Sequence, residues 1–338
     1  MHATLHIGTE KTGTTTIQTF LARNRAMLAA AGVLVPVSPG RGNHRLIPGI
    51  ANDDDILDDL FRERALFEPE ARRAAKARWW EAFRAEVGVA GLEHVLISSE
   101  HLQSRLRRDG EVERLRDLLL TVFDSVSIVL YLRQPIETAV SLYSTAVKCG
   151  GVPLRVPGPN NPYFRNVVHH AETLRRWGAV FGETALTVRL FSRGDFVQGD
   201  LIADFIAACG LPALEYVRPA PENESLSALG VAVMREVNVA LPLLNPDGTI
   251  NRQRDGLVPF FERHFAAGPR AIPDAATVTA YETAFAESDN WVRQRFFPGR
   301  ARLFEPYNSP SSAPAPDPAQ VAGIAAAIVE LWRQRSSG

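Results

Sequence analysis

The sequence predicts an α/β fold in which a central, mostly parallel sheet is covered by helices on both faces and followed by a helical C-terminal part. Three observations lead there. Short apolar strands alternate with helix-spaced segments over the first two thirds of the chain. The strongest strand, Val126 to Leu132, is too apolar for a sheet with one wet face. Lys11, His44, Glu100, His101 and Arg133 each follow a predicted strand, and ligands of such sheets bind beyond the carboxyl ends of the strands.

In chain order, a short apolar strand opens the sequence and runs into a small-residue loop. Residues 14 to 31 carry apolar side chains at Ile17, Phe20, Leu21, Met27 and Leu28, a helical spacing that stops at Gly32. Val33 to Val37 reads as a strand and Pro39 to His44 as a loop. Asp53 to Phe67 and Pro69 to Val87 read as two helices, a helical insertion at about residues 50 to 90. Asp53-Asp54-Asp55 is expected to start the first of them, because carboxylates favour that end of a helix. Trp79 and Trp80 are expected to pack in the core. His94 to Ser98 is a buried-type strand, followed by a helix over 111 to 123. After Val126 to Leu132, Pro135 suits the first turn of a helix over 135 to 148. Gly, Pro and Asn make 149 to 162 an irregular loop. A helix over 163 to 181, a strand over 186 to 191 and a helix over 195 to 209 complete the alternation.

From about residue 211 the spacing is helical, over 225 to 241, 252 to 267, 273 to 287 and 318 to 335. Ser225 reads as an N-cap, and Ser309 to Pro318 as a loop. The expected organisation is an α/β core over 1–210 and a helical part over 211–338 packed on it as the same domain.

With 338 residues, 46% apolar and 22% charged, the composition is that of a globular protein with a sizeable core. The net charge of −1 gives no global pointer to nucleic acid or an anionic membrane surface. Cys149 and Cys209 are too few for a disulfide framework and are expected to be small buried side chains. The chain starts on its first strand without a secretory signal pattern and has no apolar run of the ~20 residues a membrane helix needs. A cytoplasmic protein with no integral membrane segment is expected. No His/Cys cluster has zinc spacing. Nothing specifies an oligomeric state.

The chemistry is carried by Gly8 to Thr16, read as a strand end, a loop and a helix start. Unpaired N–H groups at a helix start, with the dipole behind them, favour an anion. Gly8 and Gly13 allow close backbone approach, Thr12, Thr14, Thr15 and Thr16 offer hydroxyls, and Lys11 adds a mobile charge. Against the nucleotide triphosphatase P-loop, the two glycines match, and Thr15 matches the magnesium-holding Ser/Thr. The lysine does not. Thr14 stands where that pattern needs Lys, and Lys11 sits two residues before the second glycine.

Lys11-Thr12-Gly13-Thr14-Thr15 after a first strand resembles the 5′-phosphosulfate loop of the sulfotransferases that use 3′-phosphoadenosine 5′-phosphosulfate (PAPS). Leu132-Arg133-Gln134-Pro135, with Ser141 and Tyr143 beyond, resembles their 3′-phosphate motif, in which a guanidinium and a helix hydroxyl clasp a phosphate. A second helical Arg often present in that motif is replaced by Thr138 and Ala139. The resemblance covers residues 1 to 210. It implies a three-layer P-loop-like fold and transfer of a sulfuryl group from PAPS, as co-substrate, to a hydroxyl or amine of a glycan, glycolipid or small metabolite. No metal is required in principle, because Lys11 and the helix start can stabilise the leaving phosphate. Three strand-end residues qualify as the base: His44, Glu100 and His101. His169 and His170 read as structural, and Asn223 to Ser227 as a nucleotide-closing segment or a capped helix start. The rival readings are a nucleotide-dependent kinase and a catalytically silent nucleotide sensor.

Overall fold

The computed structural model describes residues 1–220, 226–307 and 316–335. Five strands, β1 (His2–His6), β2 (Val33–Leu34), β3 (His94–Ser98), β4 (Ser125–Leu132) and β5 (Leu186–Leu190), form one sheet in the order β2-β3-β1-β4-β5. Every pairing is parallel. The α/β class expected from the alternation is the one observed.

Because successive strand residues point to opposite faces, each strand feeds two cores. Ala3, Leu5 and Ile7 join Val95, Ile97, Ile128, Leu130 and Leu132 on one face. Helices Pro69–Ala90, Asp109–Leu120 and His170–Phe181 cover it through Phe83, Leu115 and Trp177. On the other face Leu96, Val129 and Tyr131 meet Ile17 and Phe20 of helix Thr14–Arg23, and Phe205 of helix Leu201–Ala208. The chain thus leaves β1 toward one face and β3 toward the other. Connections that diverge in this way leave a crevice at the carboxyl edge of the strands.

By contacts the chain divides into two compact units rather than by one cut near residue 210. The first comprises Met1–Gln134, Asn166–Pro221 and Glu287–Phe304, and contains the whole sheet. The second comprises Pro135–Arg165, Glu222–Ala286 and Glu305–Gly338. It is helical, with Val147, Met234, Val237, Phe261 and Phe285 fully buried. Asn238 ties it together, donating to the carbonyls of Val147 and Gly151 at 2.8 Å and accepting from Arg254.

Several local expectations are corrected by tertiary contacts. Asp53-Asp54-Asp55 does not start a helix. Asp53 and Asp55 take the Arg108 guanidinium, Asp53 also takes Arg114, and Asp54 takes Lys76. The next helix starts at Asp59, with Asp58 accepting from the Phe61 N–H as its cap. The second strand is two residues long, and a short helix, Leu46–Ala51, precedes the insertion. The helix expected over 163 to 181 is divided into Pro162–Val168 and His170–Phe181, with His169 capping the latter. Helix Ala228–Ala240 is capped by Ser227. Asn223, Glu224 and Ser225, and most of the Ser309 loop, lie outside the described residues. Trp80 is buried as expected, and Cys209 is buried whereas Cys149 is exposed. Among the described residues no helix is long and apolar enough to cross a membrane.

An ion pair between the buried Asp204 and the half-exposed Arg189 braces β4 and β5 against the Leu201–Ala208 helix. Asp204, with no exposed surface, accepts from the Tyr131 hydroxyl at 2.7 Å, from Arg189 Nε at 3.0 Å and from the Val197 N–H at 3.0 Å. Burial alone would raise its pKa, but these donors outweigh it and hold the carboxyl below its usual value. Asp204→Ala leaves a guanidinium and a phenol without their shared acceptor. Denaturant unfolding at neutral pH is expected to show a loss of about 2–3 kcal/mol, because the buried phenol loses its acceptor while the half-exposed guanidinium is partly rescued by water, with a smaller loss for Asp204→Asn. A loss under ~1 kcal/mol would contradict the bracing role.

Candidate active site

The loop after β1 is fixed by continuing the sheet beyond the strand. Tyr131 N–H donates to Gly8 O at 2.7 Å, and Thr9 N–H donates back to Tyr131 O at 3.1 Å. The Thr9 hydroxyl adds a second bond to the same carbonyl at 3.1 Å. Thr12, fully buried, donates its hydroxyl to Thr9 O at 2.6 Å and closes the loop on itself. Thr12 therefore shapes the loop rather than offering the hydroxyl proton expected of it.

Both glycines are required by geometry. Gly13 has φ +71°, in the left-handed region, and a Cβ there would sit 2.4 Å from a Leu201 methyl and 3.2 Å from the Phe191 ring. Gly8 has φ +102°, and its Cβ would lie 3.0 Å from the Cβ of Glu100. A side chain at either position would therefore strain the loop, by its left-handed backbone and by these contacts. Lys11, between them, also adopts a left-handed φ of 65°.

Gly13 is the N-cap of helix Thr14–Arg23 and supplies no capping side chain. The first N–H groups of that helix therefore face outward, where a helix start attracts an anion. Thr14 is buried, while Thr15 is exposed and Thr16 half-buried. Arg133, the residue after β4, donates from Nη1 to the Lys11 carbonyl at 3.1 Å. Its guanidinium lies 5.5 Å from the centre of the Phe191 ring, and its own carbonyl accepts from His170 Nε2 at 2.8 Å. Lys11, Thr14, Thr15, Thr16 and Arg133 are thus gathered at one edge of the sheet. Ser141 belongs to helix Pro135–Lys148 of the second unit, so the site is built here from the first unit alone.

The three candidate bases separate clearly. His44 has no exposed surface, and both its ring nitrogens are engaged by backbone. Nε2–H donates to Pro36 O and Nδ1 accepts from the Ser98 N–H, both at 2.9 Å. Burial, assisted by Arg25, lowers its pKa to about 4. The expectation of His44 as a base is corrected: it is a brace between the segment after β2 and the end of β3.

The Cα and Cβ of Glu100 pack against Gly8. Its Oε2 accepts from Gln18 Nε2 at 2.7 Å and from Asn43 Nδ2 at 2.9 Å. Among the described residues no hydrogen bond falls on Oε1. Asn43 is oriented in turn by the Ser99 hydroxyl, which donates to its Oδ1 at 2.6 Å. His101 opens the short helix His101–Arg105, and its Nδ1 is buried with no hydrogen-bond partner among the described residues. Gln18 and Asn43 are the functional candidates that motif reading missed. Gln18 lies one turn beyond Thr14 on the same helix face, which is a usable signal. Asn43 gives none beyond its place in the glycine-rich loop.

His44 shares its burial with His6 and His170, whose pKa values burial lowers to about 3 and about 4. Each binds a proton in the unfolded chain below its ordinary value near 6.5, but in the folded chain only at much lower pH. Their stabilising effect is complete above pH ~6.5 and falls away as pH drops toward 4. Unfolding free energy is expected to decline from pH 7 to pH 5, by up to ~1.4 kcal/mol per pH unit for each histidine. In His44→Gln the slope should shrink by about one proton. An unchanged slope would contradict a buried, neutral His44.

No family model matches the chain. A stretch of 77 residues is 39% identical to an uncharacterized protein of Archaeoglobus fulgidus, covering 22% of this chain and 21% of that one. The match thus spans about a fifth of the length of that curated relative. Among solved structures the chain is similar to a sulfotransferase from Alicyclobacillus acidocaldarius, at 18% identity and a TM-score of 0.41, over 84% of this chain and 95% of the other. It is also similar to the sulfotransferase domain from the curacin biosynthetic pathway, at 10% identity and a TM-score of 0.37, over 64% and 75% of the two chains.

Proposed function

We propose that the chain is a sulfotransferase that takes a sulfuryl group from PAPS to a hydroxyl or amine of a glycan, glycolipid or small metabolite. The observation that carries this reading is the lysine two residues before Gly13, in a loop whose backbone at that lysine is bonded to Arg133. A triphosphatase loop needs its lysine after the second glycine, where this chain has Thr14. The donor set suits a nucleotide with two separate phosphate groups: the uncapped helix start and Lys11 for one, and Arg133 for the other.

When bound, PAPS supplies a sulfuryl group joined to a phosphate leaving group, so in-line attack breaks the sulfur–oxygen bond and leaves adenosine 3′,5′-bisphosphate. The N–H groups of Thr14, Thr15 and Thr16 and the exposed hydroxyl of Thr15 would hold the 5′ end. Lys11 would stabilise charge growing on the phosphate oxygen. Arg133 would neutralise the 3′-phosphate.

Glu100 is the general base in this reading. Gln18 and Asn43 hold one oxygen of its carboxylate, leaving Oε1 to take the proton of the acceptor. His101, next in sequence, lies close enough in the chain to take that role should Glu100 prove silent, and the two are separated by mutation.

Radiolabelled sulfuryl transfer from PAPS to an acceptor panel tests the proposal. Glu100→Gln is expected to lower turnover ~10²–10⁴-fold while leaving bisphosphate affinity unchanged. An equally active Glu100→Gln with an inactive His101→Ala would move the base to His101. Lys11→Ala is expected to lose turnover with an unchanged melting temperature, and an active variant would remove Lys11 from the mechanism.

A further inference from the structure

The second unit contains a cavity of about 480 Å³ within its own helices. It lies between helices Pro135–Lys148 and Ala228–Ala240 and the segment leading into helix Ala275–Phe296. Among the described residues, Arg155, Arg235 and Arg270 line it together with the carboxylate of Asp274. The carboxylate is already engaged. It accepts the Thr277 N–H at 2.7 Å and lies 3.8 Å from Arg155.

Arg235 is the informative member, since only 13% of its side chain is exposed. Its Nε makes a long 3.5 Å contact to the Val152 carbonyl. Its nearest carboxylate, Glu236, is 3.7 Å away and is not among the groups lining the cavity. A guanidinium kept this far from water, with a neutral acceptor and only a loose ion pair, is placed to receive an anion. The remaining wall is largely apolar, with Val231 almost fully buried beneath it.

We infer that this cavity binds a small amphipathic anion: a carboxylate, sulfate or phosphate group against Arg235 and Arg270, with an aromatic or aliphatic body against the apolar wall. Arg235 and Arg270 supply planar donor forks that match such oxyanions, and the cavity has the size of a small-ligand site.

Calorimetric titration of the full chain with naphthalene-1-sulfonate, and with the neutral naphthalene-1-sulfonamide, tests this. The anion is expected to bind at one saturable site at least tenfold more tightly than the amide. Arg235→Ala and Arg270→Ala should each weaken the anion at least tenfold and leave the amide nearly unchanged. Ala232→Phe, which fills the cavity from its wall, should abolish both. If Arg235→Ala does not fold, Arg270→Ala and Ala232→Phe carry the test. Equal binding of anion and amide, no binding of the anion at millimolar concentration, or full affinity in Ala232→Phe would overturn the inference.

Discussion

The site depends on the sheet not ending where β1 ends. Gly8 and Thr9 exchange two backbone hydrogen bonds with Tyr131, so the loop is anchored on strand β4 as well as by its own threonine hydroxyls. Tyr131 is in turn held by Asp204, which gathers Arg189 of β5 and the N–H of Val197 on the same carboxylate. A loop that must meet charged oxygens at hydrogen-bond distance gains from such rigidity, because donors already in place need no reorganisation when charge arrives.

The same closeness explains the glycines. Gly13 is pressed against Leu201, the first residue of the helix that carries Asp204, and Gly8 against Glu100. Each glycine therefore joins the loop to a different neighbour, one to the structural brace and one to the proposed base. Arg133 closes the third side by donating to the backbone at Lys11. His170 supports it from behind through the Arg133 carbonyl, so a residue that is buried and structural still bears on the site.

What could be read in the sequence was what local chemistry decides. Strand His94–Ser98 and helices Pro135–Lys148 and Pro318–Arg335 follow from apolar runs, a proline at a first turn and helical spacing, and they fall where expected. The loop itself was legible because glycine, lysine and threonine at that register serve one purpose. The rest was decided by distant partners. Asp53-Asp54-Asp55 has the composition of a helix start, but Arg108, Arg114 and Lys76 offered it better company. His44 follows a strand and sits among glycines, as a base would, yet its pairing with Ser98 buries it. Glu100 is set apart from its rivals by Gln18, far away in the chain, which donates to its carboxylate.

The central claim is that the loop and Arg133 together read a nucleotide carrying separate 5′ and 3′ phosphates. Calorimetric titration with adenosine 3′,5′-bisphosphate, adenosine 5′-monophosphate and ATP with magnesium tests it most directly. The account predicts that the bisphosphate binds at least ~30-fold more tightly than the monophosphate, an advantage of ~2 kcal/mol expected of charge-assisted bonds to the added phosphate, and that Arg133→Ala erases most of it. Equal affinity for the two adenosine phosphates, or preference for ATP with magnesium, would contradict it.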